Sequence, residues 1–218
     1  MFVRRFLARF ALIAATVLTV GHPVAHAQDA DTIFDRLLAK YHAIDGIRAE
    51  FTQTMSSTYL DQDESFTGVL ILQGEKYRIE TGTEVLVVNG TETYVFRPNE
   101  NQLLINDVVE DDASFSPTDF LLRHDERFNI IGTSVDHLDG QKHYKLSLQP
   151  KNSDSFFREA TLWMRDLDDI ITRLQVIDVN ETKMLFTLQN IELNPTLDAE
   201  TFTITPPDGV EVIDLRSE

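Results

Sequence analysis

The chain has 218 residues, 42% of them hydrophobic, with no cysteine and a formal net charge of −17. It is long enough to bury a sizeable core, and that core has no disulfide to staple it. The acidity argues against nucleic-acid phosphates or anionic lipid headgroups as partners, and without thiols or an HExxH spacing a transition-metal site has little to form on.

Residues 1–27 have the three parts of a secretory signal peptide. Arg4, Arg5 and Arg9 precede an apolar run from Phe10 to Val20, and Ala25-His26-Ala27 offers a small-x-small cleavage site. The run is shorter than the roughly 20 apolar residues a spanning helix needs. Together with the missing lipobox cysteine, this predicts an exported, soluble product with no stable membrane insertion. Its removal leaves 16 basic against 36 acidic residues, a net charge of −20. Such a surface suits a basic protein partner, and it also serves solubility.

Asp31-Thr32 is a candidate cap for a helix with Ile33, Phe34, Leu37, Leu38 and Tyr41 on one face, ended by Asp45-Gly46. From there the apolar period becomes two. Ile47 to Met55 alternates, and strands are predicted at 66–72, 76–81, 84–89, 91–97 and 102–105, with Asn89-Gly90 as a hairpin turn. Ser116-Pro117-Thr118-Asp119 then signals a short helix carrying Phe120, Leu121 and Leu122. Further strands follow at 128–135, 142–149, 156–164, 170–178 and 183–192. Near the end, TFTITPPDGVEVIDL alternates through Phe202 and Ile204, breaks at Pro206-Pro207-Asp208-Gly209, and alternates again through Val210 to Ile213. With no repeat or linker visible, residues 28–218 read as one domain. Many short antiparallel strands point to a barrel or sandwich closed by helices.

Catalytic signatures are missing. There is no G-x-S-x-G elbow, no glycine-rich phosphate loop and no dinucleotide fingerprint. The chain is therefore read as a non-enzyme without a cofactor. A hydrolase built on His124 or His143 remains the alternative from another class. The feature that stands out is apolar sequence on both faces of strands, in Val69-Leu70-Ile71-Leu72 and Val85-Leu86-Val87-Val88. Either both faces are covered by protein, or one lines a half-open barrel for an apolar ligand.

Five stretches in this order resemble the LolA family of periplasmic outer-membrane lipoprotein carriers: IRAEFTQT, GVLILQGEKYRIE, VLVVNGTETYVFRPNENQLLI, SPTDFLL, and NIELNPTLDAETFTITPPDGVEVID. The resemblance implies an unclosed antiparallel β-barrel with a helical lid over a hydrophobic cavity. It implies a chaperone that receives triacylated lipoproteins from an inner-membrane ABC transporter and passes them to the outer membrane or an acceptor there, as a monomer. A lipid-binding or lipoprotein-sensing module of the same fold is the nearest alternative. Leu37, Leu38 and Tyr41 match the inward face of the first helix, Phe120 and Leu121 match the lid, and Tyr77 matches an aromatic position at the mouth. Phe51 is expected to point inward from the first strand. Ordinary core packing accounts for each of these as well as ligand contact does. The family's Arg-Pro pair after the second strand, whose arginine holds the lid closed, is replaced here by Gln73-Gly74-Glu75-Lys76. That leaves Lys76 or Arg78 as the expected lid contact.

Overall fold

The computed structural model describes residues 26–57, 63–108, 116–121 and 123–217. Apart from its last two residues, the expected leader lies outside them, as does Leu122. The first helix, α1 (His26–His42), starts before the Asp31-Thr32 cap expected from sequence, because the preceding residues include good helix formers such as Ala27, Gln28 and Ala30. Ile33, Leu37 and Tyr41, four residues apart, are its buried stripe.

Six strands follow: β1 (Gly46–Ser56), β2 (Glu64–Gln73), β3 (Lys76–Thr81), β4 (Val85–Val88), β5 (Glu92–Arg97) and β6 (Gln102–Asp107). The hairpin at Asn89-Gly90 falls one residue later than predicted. Its loop residues are Gly90 and Thr91, because the Asn89 carboxamide oxygen accepts from the N–H groups of Thr91 and Glu92. Two short helices, α2 (Pro117–Leu121) and α3 (His124–Arg127), precede β7 (Phe128–Leu138), β8 (Gln141–Pro150), β9 (Phe157–Arg165), β10 (Ile170–Asp178) and β11 (Lys183–Leu193). Pro117 opens α2, where its missing N–H and fixed φ suit the first helical position. The last strand is β12 (Glu211–Asp214).

All twelve strands join one sheet, in the order β12-β6-β5-β4-β3-β2-β1-β11-β10-β9-β8-β7. Two meanders, β1 to β6 and β7 to β11, are stitched together where β1 pairs antiparallel with β11. The edge strands β7 and β12 do not pair with each other, so the sheet is unclosed. Its inner face carries one large core cluster that draws Leu37 from α1, Leu72 from β2, Leu148 from β8 and Met164 from β9. Residues from both meanders meet there, so the sheet curls around it.

The doubly apolar runs divide by parity. Leu70 and Leu72 face the inner cluster, whereas Val69 and Ile71 join Val85, Val87 and Tyr94 in a second cluster on the outside. Protein covers that outer face, in the form of Leu197, Phe202 and Ile204 from the segment after β11. The strand expected over residues 201–205 is therefore not a strand. Its alternate side chains are spent on the outer cluster, the carbonyl oxygens of Thr201 and Thr203 each accept from Arg78 Nη1 at 3.3 Å, and Pro206 and Pro207 have no donor for a ladder. The segment is a strap that carries the chain across the sheet to the far edge. There Asn101, at φ 54°, gives its side-chain amide to the Gly209 carbonyl at 2.6 Å. β12 then pairs parallel with β6.

Phe202→Ala should cost about 3 kcal/mol by urea unfolding, the usual range for emptying a buried aromatic site, while Phe202→Leu should cost clearly less. The end of the strap is also pH-sensitive. Hydrogen bonding from Arg216 holds the Asp214 carboxyl down at about 2. A depressed carboxyl contributes its stabilisation above the ordinary value of about 4 and loses it as pH falls through the folded value. Amide exchange of residues 211–214, corrected for intrinsic rates, should therefore accelerate between about pH 4 and pH 2, and should not do so in Arg216→Ala.

Candidate functional site

The inner face encloses an apolar hollow of about 190 Å³ between the two meanders. Register brings its walls together. Phe186 of β11 lies opposite Gln53 of β1, which lies opposite Phe66 of β2, and Leu188 lies opposite Phe51. Leu70, Ile79 and Leu86 form the next row across β2, β3 and β4. Leu174 of β10 completes the wall, and Pro117 and Leu121 of α2 roof it. Phe51 is the centre of an aromatic group, with its ring 6.2 Å from Phe66, edge to face, and 6.5 Å from Phe186. Gly68, directly opposite Phe51, makes that possible, since a Cβ there would stand 2.8 Å from the Phe51 ring and 2.3 Å from the Glu80 carbonyl. Gln53, Thr81 and Glu84 are the polar residues of the hollow's lining. Phe66, 41% exposed, marks the mouth.

The residues singled out from sequence are scattered around this hollow. Phe51 and Leu121 line it. Leu37 is fully buried in the core beneath α1, and Leu38 is half-buried; neither lines the hollow. Tyr41 is buried, and its hydroxyl accepts the Ile171 N–H at 2.9 Å. Burial pushes that hydroxyl's pKa up, so it stays a neutral structural prop. Tyr77 packs half-buried on the core; burial, and secondarily the Asp119 carboxylate of α2, raise its pKa. Phe120 turns to Phe128 and Phe157, with ring centroids at 5.1 and 5.7 Å, and lines a separate, partly polar depression of about 280 Å³.

Lys76 and Arg78 do not reach α2. They share a strand face opposite to Tyr77 and Ile79; Lys76 is exposed and Arg78 binds the strap. A different arginine ties α2 to the β2–β3 turn. Arg123 donates to Asp119 from Nε and Nη2 at 3.1 and 2.7 Å and stands 3.5 Å from Glu75 through Nη1. Glu75 belongs to the Gln73-Gly74-Glu75-Lys76 stretch, so the β2–β3 turn supplies the acid of this tie and the α2 side supplies the arginine. Phe66, Phe186, Leu174, Leu188 and Gly68 were not expected from sequence. The alternation Phe186, Thr187, Leu188, Gln189 was the available signal for two of them.

Among the described residues no three His, Asp or Glu side chains are placed to hold a metal. His143, the reference point for a hydrolase, is buried with Nδ1 at the Gln141 carbonyl and Nε2 2.9 Å from the Thr172 hydroxyl; the His124 side chain lies outside the described residues. No helix among the described residues is long and apolar enough to cross a membrane.

Fold and hollow together define a class, an unclosed antiparallel sheet curled around an apolar interior under a short helix. The family model for the outer membrane lipoprotein carrier protein LolA matches residues 42–205, and the chain belongs to that family. It is 26% identical to the outer-membrane lipoprotein carrier protein of Pseudomonas paraeruginosa over 90% of this chain and 94% of that protein. It is 25% identical to the protein of the same description from Bordetella avium, over 93% and 95%. Among solved structures, an uncharacterized conserved protein from Thermus thermophilus shares the fold with a TM-score of 0.54 at 14% identity, covering 86% of this chain and 99% of that one.

Tyr41→Phe should destabilise the fold by about 1–3 kcal/mol, because it leaves the buried Ile171 N–H without its acceptor. Urea unfolding would show the loss. Occupancy of the hollow by an apolar probe should be unchanged in the folded protein.

Proposed function

We propose that this protein is a soluble periplasmic carrier that takes triacylated lipoproteins from an inner-membrane transporter, shields their acyl chains, and releases them to the outer membrane or an acceptor there, without covalent chemistry. The observation that carries this reading is the aromatic-lined hollow under α2, in a member of a family whose relatives are described as lipoprotein carriers. Each methylene exposed to water costs about 0.8 kcal/mol, so a lipid anchor with several chains needs such a shelter to cross an aqueous compartment.

The roof is built to yield. At about 190 Å³ the hollow is smaller than the ~300–1,000 Å³ of ordinary ligand sites, so acyl chains enter only as α2 moves out. Three features keep the cost of that movement low. α2 is only five residues long. Its buried Thr118 hydroxyl finds no hydrogen-bond partner among the described residues, a defect of the kind that costs about 1–3 kcal/mol. The Arg123–Glu75 tie is largely solvent-exposed at the Glu75 end, where ion pairs contribute up to about 1 kcal/mol. The main hold on α2 is Phe120, buried against Phe128 and Phe157, so the helix opens by swinging Pro117 and Leu121 away from the hollow while Phe120 keeps its seat, and the loaded state is no trap.

The test is direct. The leaderless chain, stripped of lipid, is mixed with a synthetic triacyl lipopeptide and followed by size exclusion and native mass spectrometry. A one-to-one complex that keeps the lipopeptide out of aggregates is expected. Phe66→Ala, at the exposed mouth, should weaken it about tenfold, the equivalent of one good aromatic contact. A chain that leaves the triacyl lipopeptide aggregated but binds a one- or two-chain lipid would replace the carrier reading with that of a different lipid-binding module.

A further inference from the structure

The two edges of the sheet are built differently. β12 is four residues long, carries Glu211 and Asp214, and has Asp214 tied down by Arg216; short, charged edges discourage a further strand. β7 is eleven residues long and uncharged from Phe128 to Val135, with Ile131 60% and Val135 54% exposed. Among the described residues nothing pairs with its outer side. A bulge between Ile130 and Gly132 interrupts the ladder to β8, and from Gly132 to Leu138 the register is regular.

Beside this edge runs a groove of about 500 Å³ between α1 and β7, lined by Ile33, Val135 and Tyr144 together with the polar or basic Arg36, Thr133 and Lys142. Val135 lies opposite Tyr144, so the two share the groove's face of the sheet. A strand added to β7 would therefore drop alternate side chains into the groove and point the others away, which is how strand addition acquires specificity. β7 also begins at the roof of the hollow. Phe128 stacks on Phe120 of α2, and the adjacent Leu121 lines the hollow itself.

We propose that the free edge of β7 receives, as an added strand, the stretch of polypeptide that follows the lipidated terminus of the cargo. This rests on the carrier reading above and extends it from the lipid to the peptide. The groove's own charged residues, Arg36 and Lys142, are paired with Asp166 and Asp169, so the occupant is an uncharged extended segment with an aliphatic side chain at every second position. Its supply is intramolecular. Once the acyl chains enter under α2, the peptide is held beside β7 at high effective concentration, so weak strand pairing adds to the grip on the lipid.

The experiment uses the leaderless full chain and two synthetic triacyl lipopeptides with the same lipid. One carries about four uncharged residues and the other about twelve, enough to follow β7 at ~3.4 Å per residue. The long peptide is expected to bind about tenfold tighter and to slow amide exchange across Gly132–His137. N-methylating alternate peptide bonds should return its affinity to that of the short one. Val135→Lys, at an exposed edge position, should weaken the long ligand and leave the short one unchanged. Equal affinities for the two lengths, or a gain that survives N-methylation, would overturn the edge proposal while leaving the carrier reading intact. Failure of both ligands to bind would sink the carrier reading and this proposal with it.

Discussion

The pairing of β1 with β11 brings together segments roughly 130 residues apart, and closing a loop of that length costs about 4 kcal/mol in chain entropy by logarithmic scaling. The ladder from Ile47–Leu193 to Ser56–Lys183 and the core beneath it offset that cost. In exchange, the pairing sets Phe51 beside Leu188 and Gln53 beside Phe186, which is where the hollow lies. Neither meander encloses anything by itself. The interior exists because the two are stitched along one seam.

Leaving the opposite edges unpaired has its own logic. A fully closed small barrel fills its interior with side chains, whereas an open one has a gap that a short helix covers. α2 is held by the Phe120–Phe128–Phe157 stack at one end and the Arg123 tie at the other, so its anchor points lie beside the hollow and not inside it. The groups that fasten the roof are thus distinct from the groups that would meet a ligand.

Local chemistry was legible in the sequence, and long-range register was not. The helix at Pro117 is announced by adjacent residues, and the strands are announced by a two-residue period, except β4 and the second half of β2, which read as continuous apolar runs. The same period placed Lys76 and Arg78 opposite Tyr77 and Ile79, on the wrong face for a lid, but a family pattern in the neighbouring stretch drew attention to their charge instead. Leu37 and Tyr41 read correctly as one helical stripe, yet a stripe that faces a core looks the same as one that faces a ligand. Phe66 and Phe186 went unnoticed because they become neighbours only through Gln53, on a strand between them. The 201–205 segment alternates as a strand does, and only the outer cluster shows that alternation can serve packing without a ladder.

The strap has a consequence for how the molecule comes into being. The first strand needs the eleventh, the sixth needs the twelfth, and the outer face of β2 to β5 needs Phe202. The hairpins from β2 to β6 can form locally, but the seam, the β6 edge and the outer face are complete only when residues 183–214 are in place. Such non-local topology folds slowly, and in a chain that emerges from one end it delays completion until release. Until the strap crosses the sheet, the outer cluster lacks Phe202 and β6 lacks its parallel neighbour, so it is the strap that locks the rest.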